Sequence, residues 1–474
     1  MDIQEHHQTF LSIEEDLDLF GATIDGIRFW ERVRYSIYRR TLTKSGIWGK
    51  AHSELETSMS HFARRVQFLI GNVFNRNPFL ASSHEFLFWG HERRKREEDG
   101  MWWDIYCDPI HEELGLDYLH MERPHLDRHL QPAQTKNLRY FDLLDAIARI
   151  QQQFVTVNFT DCEQRFLDRI RRSLKRKFGV DIDITHVVKK LLSFRRCIKP
   201  LYERFLKRVN PLIVVLVVSY GGKETFIEVC KTMDIPVIEL QHGIINEYAS
   251  AYSFPGDRSK HTFPDYLFTF GDFWNEGVEF PINDNRIIPV GYPYLEKNAS
   301  RYANVQERNQ ILFISQGIIA EPLSKMATQL AERCDINHEI IYKLHPGEYD
   351  RWRTEYPWLS KSSVTVVGSN GKSLYRLFAE STAQIGVSST ALFEGLIFDL
   401  DTYLVDLPTI EFMRDVVDKG YMTVIETIDE LVGHLRSSSD HNPDINLERI
   451  FQSNSVENIA QAFNTVRDET DSNR

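Results

Sequence analysis

From Glu85 onward the chain alternates short, wholly apolar runs with longer stretches whose apolar residues recur every three or four positions. That alternation predicts strands and helices in turn. EFLFWG and LDYLHM read as strands, residues 140–154 as a helix, and 164–209 as two long helices broken near 179–183. PLIVVLVVSY is β-branched and continuously apolar, as a parallel strand covered on both faces must be. GGKETFIEVCKTM then reads as a helix opening on glycines, IPVIELQHG as the next strand, and DYLFTFG and RIIPVGYP as two more. After a polar, aperiodic stretch at 296–309, read as a linker, the alternation restarts. It gives strands at ILFIS, EIIYKLHP, SVTVV, AQIGVS and DTYLVD, with helices at 322–334, 372–379 and 390–397. Helices at 429–437 and 447–466 close the chain, and the acidic end DETDSNR reads as frayed.

The expected fold is therefore α/β, with two Rossmann-like, doubly wound domains and an N-terminal helical extension. Boundaries fall at 1–80 for the extension, 81–295 for the first domain and 310–474 for the second, which carries the closing helices. In the extension, RFWERVRYSIYRR sets arginines among aromatics, and Phe62, Val66, Leu69, Ile70 and Val73 recur at helical spacing. Such helices either pack on the protein or lie on an anionic membrane surface, and Arg28, Trp30, Arg32, Arg34, Arg39 and Arg40 are the stretch best equipped for the second role.

Charge narrows the partners. Lys and Arg number 56 against 68 Asp and Glu, a net of −12, so the overall field repels nucleic acid and no nucleic-acid module is recognised. Against that background, 165–208 holds fifteen basic residues and four acidic ones, which is either a solvated face or a surface for an anionic lipid or polymer. The five cysteines are widely spaced with no C-x-x-C pair, the N-terminus lacks the basic-then-apolar pattern of a signal peptide, and the longest apolar run, 212–218, is far below the roughly 20 residues of a membrane span. These features predict a cytoplasmic protein, at most peripheral to the inner membrane face.

Candidate chemistry gathers at predicted strand ends, where open parallel sheets bind ligands. Gly221, Gly222 and Lys223 follow the first buried strand and begin a helix, an arrangement that suits an anion or merely makes a tight turn. Gln241, His242 and Gly243 end the next strand, and a histidine there can serve as a base. Lys343, His345 and Pro346 repeat the design in the second domain, with lysine and histidine on one strand face. Ser388, Ser389 and Thr390 follow a strand and cap a helix, with Glu394 one turn further on, placed to meet a sugar hydroxyl.

The order Q-H-G, V-G-Y-P, K-L-H-P and S-S-T-A-L-F-E-G-L, over 211–406, resembles the GT-B glycosyltransferases and glycerophosphotransferases of surface-polysaccharide synthesis. That group includes CDP-glycerol glycerophosphotransferases, capsule polysialyltransferases and capsule Kdo transferases. The resemblance implies that His345, Pro346, Ser388 and Ser389 hold the phosphate and ribose of a CMP-, CDP- or UDP-linked donor. It also implies that no metal or other cofactor is needed. The N-terminal 210 residues match nothing in that pattern. The resulting expectation is an inverting transferase passing a sugar from a nucleotide donor to a surface-glycan or lipid-linked acceptor. His242 is the candidate base, with Glu247 or Asp257 in reserve. A nucleotide-sugar epimerase on the same fold and a non-catalytic scaffold of a polysaccharide assembly complex are the alternatives.

Overall fold

The computed structural model describes residues 2–47, 71–72, 76–317, 319–333, 336–369, 371–437 and 445–472. The predicted helical stretch from Phe62 to Val73 lies almost wholly outside these residues. The chain forms two compact units. One contains described residues between 7 and 41, 71 and 294, and 451 and 472; the other is built mainly on 295–450.

In the first unit the strands are β1 (Phe86–Trp89), a short hairpin of β2 (Lys95–Arg96) and β3 (Trp102–Trp103), then β4 (Tyr118–Glu122), β5 (Leu138–Tyr140), β6 (Ile213–Val217), β7 (Val237–Leu240), β8 (Tyr266–Thr269) and β9 (Ile287–Pro289). Seven of them pair in the order β5-β4-β1-β6-β7-β8-β9, all parallel. The chain winds outward from β1 to β5, then returns to lay β6 beside β1 in the register Phe86 to Ile213 and winds the other way. The sheet therefore switches direction between β1 and β6, the place where doubly wound folds open a crevice at the strand ends. β6 is buried along its whole length, as its β-branched run requires; each such side chain contributes about 1.5–3 kcal/mol by leaving water.

Both faces are covered. Helix Ile184–Val209 brings Ile198, Leu201, Phe205 and Leu206 onto one face, against Trp89, Leu119 and Val214. The C-terminal helix Ser455–Ser472 covers the other, packing Ile459, Phe463 and Val466 against Phe86, Phe88, Val215 and Phe268. Chain order had grouped that helix with the second domain and had read its last residues as frayed. Instead its apolar stripe completes the first unit, and the helix runs through Asp468 to Ser472.

Helix Trp30–Lys44 is also a packing element. Trp30 and Arg34 are buried, and the Trp30 indole N–H and the Arg34 guanidinium both donate to the Glu14 carboxylate at 2.8 and 2.7 Å. Arg34 also donates to the Ser250 and Ser253 carbonyls, while Arg32 pairs with Glu228 at 2.7 Å. The expected membrane-facing set is thus divided: Trp30, Arg32 and Arg34 are turned inward, and Arg28, Arg39 and Arg40 remain exposed. A buried carboxylate needs cationic partners, and these arginines supply them.

In the second unit β10 (Gln310–Ile314), β11 (Glu339–Lys343), β12 (Thr365–Val367), β13 (Ala383–Gly386), β14 (Asp401–Val405) and β15 (Thr423–Ile425) form a parallel sheet in the order β12-β11-β10-β13-β14-β15. It switches direction between β10 and β13. Part of the expected linker is helical: Pro293–Tyr302 forms a helix whose Tyr294, Leu295, Asn298 and Tyr302 are buried. Short elements escaped the periodic reading, among them β5, β15, the β2–β3 hairpin and the helices Asp108–Leu114, Trp352–Glu355 and Arg414–Asp418, because none is long enough to display a period.

Candidate active site

At the carboxyl edge of the first sheet, β6 is followed at once by Val218, a β-branched residue held at φ 70°. That conformation is costly for valine, and strain of this kind persists where surrounding structure enforces it. Ser219 and Tyr220 follow. β7 carries Glu239 in its middle and delivers Gln241 and His242 past its end. Gln241 braces the edge, with its side-chain oxygen accepting from Phe270 N–H at 2.7 Å and its amide donating to the Gly243 carbonyl at 2.8 Å.

The His242 imidazole lies between two tyrosines: Tyr220 Oη is 3.3 Å from Nε2 and Tyr252 Oη is 3.4 Å from Nδ1. Tyr106 Oη donates to the His242 carbonyl at 2.8 Å, and the His91 ring, just past β1, lies 6.2 Å away between centroids. Burial lowers the His242 pKa to about 3, with His91, Lys223 and Arg93 adding repulsion, and burial lowers His91 to about 3 as well. Both rings are therefore neutral at physiological pH, and each keeps one nitrogen lone pair. Glu247 and Asp257, the reserve bases, are exposed, and the polar partners of the His242 ring are the two tyrosines instead.

The glycine-lysine segment is arranged differently from an anion cradle. Gly221 and Gly222 N–H groups donate to the Glu224 carboxylate at 3.2 and 2.8 Å, so the helix caps itself. Lys223 turns inward, with Nζ bonded to the Val217 carbonyl at 2.6 Å and 4.7 Å from the centre of the Trp89 ring. Burial lowers its pKa to about 8.

Asp104, Cys107 and His120 are the one buried group among the described residues with metal-ligand chemistry at close range. Asp104 Oδ1 already accepts from the Tyr106 and Cys107 N–H groups and Oδ2 from His91 N–H, while the Arg94 guanidinium lies close enough to act on both Asp104 and His120. Such a set holds the loop after β1 in place, and a neighbouring fixed cation disfavours a second one.

At the carboxyl edge of the second sheet, the switch strands deliver Gln316 and Ser388. Gln316 donates its amide to the Ser388 carbonyl at 2.8 Å and accepts from Ser388 N–H at 3.1 Å, tying the two strand ends together. Ser388 Oγ lies 2.6 Å from Thr409 Oγ1, and Ser389 Oγ accepts from Ala391 N–H as the helix cap. Ser388, Ser389 and Thr390 are all half-buried. Glu394 is buried, with one oxygen accepting from the Tyr375 hydroxyl at 2.5 Å.

His345 is exposed and caps the turn Pro346–Glu348. Its Nδ1 accepts from Gly347 N–H at 3.1 Å, so the neutral ring carries its proton on Nε2, a donor for an anionic oxygen. Lys343, expected to act with it, instead reaches the Gly368 carbonyl at 3.2 Å and the Tyr349 hydroxyl at 3.4 Å.

Gln316, Thr409, Tyr220, Tyr252 and Glu239 were not singled out from the sequence. Only Glu239 left a signal, as a carboxylate inside the otherwise apolar strand VIEL.

No protein-family model matches the chain, and no curated protein matches it. Among solved structures it is similar to a UDP-GlcNAc 2-epimerase from Methanocaldococcus jannaschii, at 13% identity and TM-score 0.47 over 80% of this chain and 99% of that one. MurG of Acinetobacter baumannii is similar at 9% identity and TM-score 0.44, over 83% of this chain and 100% of that one. The wall teichoic acid polymerase TagF follows at 11% identity and TM-score 0.39, over 88% and 98%. At these values the likeness says nothing about chemistry. The residues at the two sheet edges are the ground for a function.

Proposed function

We propose that this chain is a GT-B-type glycosyltransferase that binds a nucleotide-activated sugar on its second unit and passes the sugar, with inversion, to a surface-glycan or lipid-linked acceptor. The observation that carries the reading is the switch point of the second sheet. There Gln316 locks the backbone of Ser388, and the half-buried hydroxyls of Ser388, Ser389 and Thr390 stand beside the carboxyl ends of β10 and β13. Hydroxyls fixed in this way can meet ribose and phosphate oxygens without first being ordered. His345 offers an Nε2 proton to the leaving phosphate, where negative charge grows in the transition state.

On the first unit, His242 is the candidate to take the proton of the acceptor hydroxyl, because it stands at the carboxyl edge of the sheet with its Nε2 beside a tyrosine hydroxyl rather than a carboxylate. Direct displacement needs no covalent sugar intermediate, and neither Glu247 nor Asp257 stands in a protected position of the kind a nucleophile would require. Among the described residues no helix is long and apolar enough to cross a membrane.

The test is a thermal-shift panel of CMP, CDP, UDP and GDP, followed by product analysis with the donor of the stabilising nucleotide. Release of that nucleotide together with a glycosylated acceptor supports the reading. A sugar changed in configuration while still attached to its nucleotide makes the chain an epimerase. No shift with any nucleotide overturns donor binding.

A further inference from the structure

A buried carboxylate lies one hydroxyl away from the His242 ring, with Tyr252 between them. Glu239 is wholly buried in β7, and its Oε1 accepts from both Ser219 N–H at 3.0 Å and the Tyr252 hydroxyl at 2.7 Å. A hydroxyl has one proton. Since Tyr252 donates that proton to Glu239, only its lone pairs are left for His242 Nδ1, 3.4 Å away. Nδ1 must then be the donor, and in a neutral imidazole this leaves Nε2 bare. Tyr220 Oη lies 3.3 Å from that nitrogen and has Tyr35 as a second hydrogen-bond partner. Protonation of Glu239 at its other oxygen, which has no partner, would leave the direction of every one of these bonds unchanged.

We propose that Glu239 and Tyr252 are positioning residues that hold His242 as the Nδ1–H tautomer, so that Nε2 is the atom that accepts the proton. Tyr252 Oη also lies on the side where an imidazolium, once formed, needs a hydrogen-bond acceptor. The acceptor role of Nε2 rests on the transferase reading; the tautomer does not.

The test uses the full chain with histidine labelled with 15N at the ring nitrogens, His242 being assigned by difference from His242→Gln. The expected spectrum shows a protonated Nδ1 and a bare Nε2 for His242 at neutral pH, and in Tyr252→Phe a mixture or the opposite tautomer. Glu239→Gln should keep the tautomer, because Ser219 N–H still requires an oxygen at that point, while turnover falls about tenfold or more, less than the roughly 10²–10⁴-fold of losing the base itself. A wild-type His242 protonated at Nε2, or a tautomer unmoved by Tyr252→Phe, overturns the proposal. Should Tyr252→Phe fail to fold, the wild-type spectrum alone decides. The spectrum needs no substrate, so failure to bind any nucleotide would end the transferase reading and leave this result standing.

Discussion

Thr409 Oγ1 lies 2.6 Å from Ser388 Oγ, on a backbone turned to φ 86°. A β-branched residue in that region costs about 1–3 kcal/mol, and Val218 at φ 70° is the second such residue, at the carboxyl end of β6. Val218 follows β6 in the first unit, and Thr409 lies beyond β14 in the second.

Thr409→Gly should relieve that strain. Set against the roughly 0.5–1 kcal/mol that glycine costs in chain entropy, stability should be unchanged or rise by about 1 kcal/mol. Nucleotide affinity should fall nonetheless, because Ser388 loses the partner that orients its hydroxyl. Denaturant unfolding and calorimetry read the two effects separately; a glycine variant that binds nucleotide as the wild type does would remove Thr409 from the site.

The two strand-end histidines should fail differently. His345→Ala loses the Nε2 donor and should weaken nucleotide binding. His242→Ala should bind nucleotide normally and lose turnover by about 10²–10⁴-fold. Equal losses of binding in both variants would contradict this division, and full activity in His242→Ala would take that residue out of the mechanism.

Acid should weaken the first unit through Glu228. Burial alone would raise its pKa, but hydrogen bonds from Arg195 and Lys199 and the charge of Arg32 outweigh burial and hold it at about 2. A depressed carboxylate pKa adds stability that is present above the unfolded-state value of about 4.5 and is lost as pH falls through about 2; the shift sets a ceiling of about 3 kcal/mol, which solvent screening of this partly exposed cluster lowers. Urea unfolding across that window should show the loss in the wild type and a flatter limb in Glu228→Gln, which starts less stable. Parallel acid limbs in the two proteins would show that the cluster is not the source.

Gly90 lies beside two buried side chains. A Cβ there would stand 2.1 Å from Asp104 Oδ2 and 2.3 Å from His120 Nε2, and neither side chain can retreat into solvent. Gly90→Ala should therefore cost about 1–3 kcal/mol, as overpacking does, and disturb the loop carrying His91. An alanine variant with wild-type stability would mean that the loop yields.

The central strands of both sheets were legible in the sequence because buried parallel strands need continuous apolar runs, such as PLIVVLVVSY and ILFIS. The residues at strand ends were legible for a related reason, since His242, His345 and Ser388 each break an apolar run. Their partners were not. Thr409 lies twenty-one positions beyond Ser388, and Tyr252 reaches Glu239 from a loop, so only the folded backbone brings each pair together. Nor could charge along the chain tell a solvated arginine from one buried against Glu14, as Arg34 is, because that distinction depends on a partner twenty residues away. The C-terminal helix was assigned to its neighbour in sequence, whereas the apolar face it covers belongs to the first sheet.

The most direct measurement is calorimetric titration of CMP, CDP, UDP and GDP into the wild-type protein and into the Ser388→Ala, Ser389→Ala double variant. Hydrogen bonds to a charged group are each worth about 1.5–3 kcal/mol, so the account predicts that one of these nucleotides binds the wild type and binds the folded double variant at least roughly tenfold more weakly. Equal affinity in both proteins, or no binding to either, would contradict it.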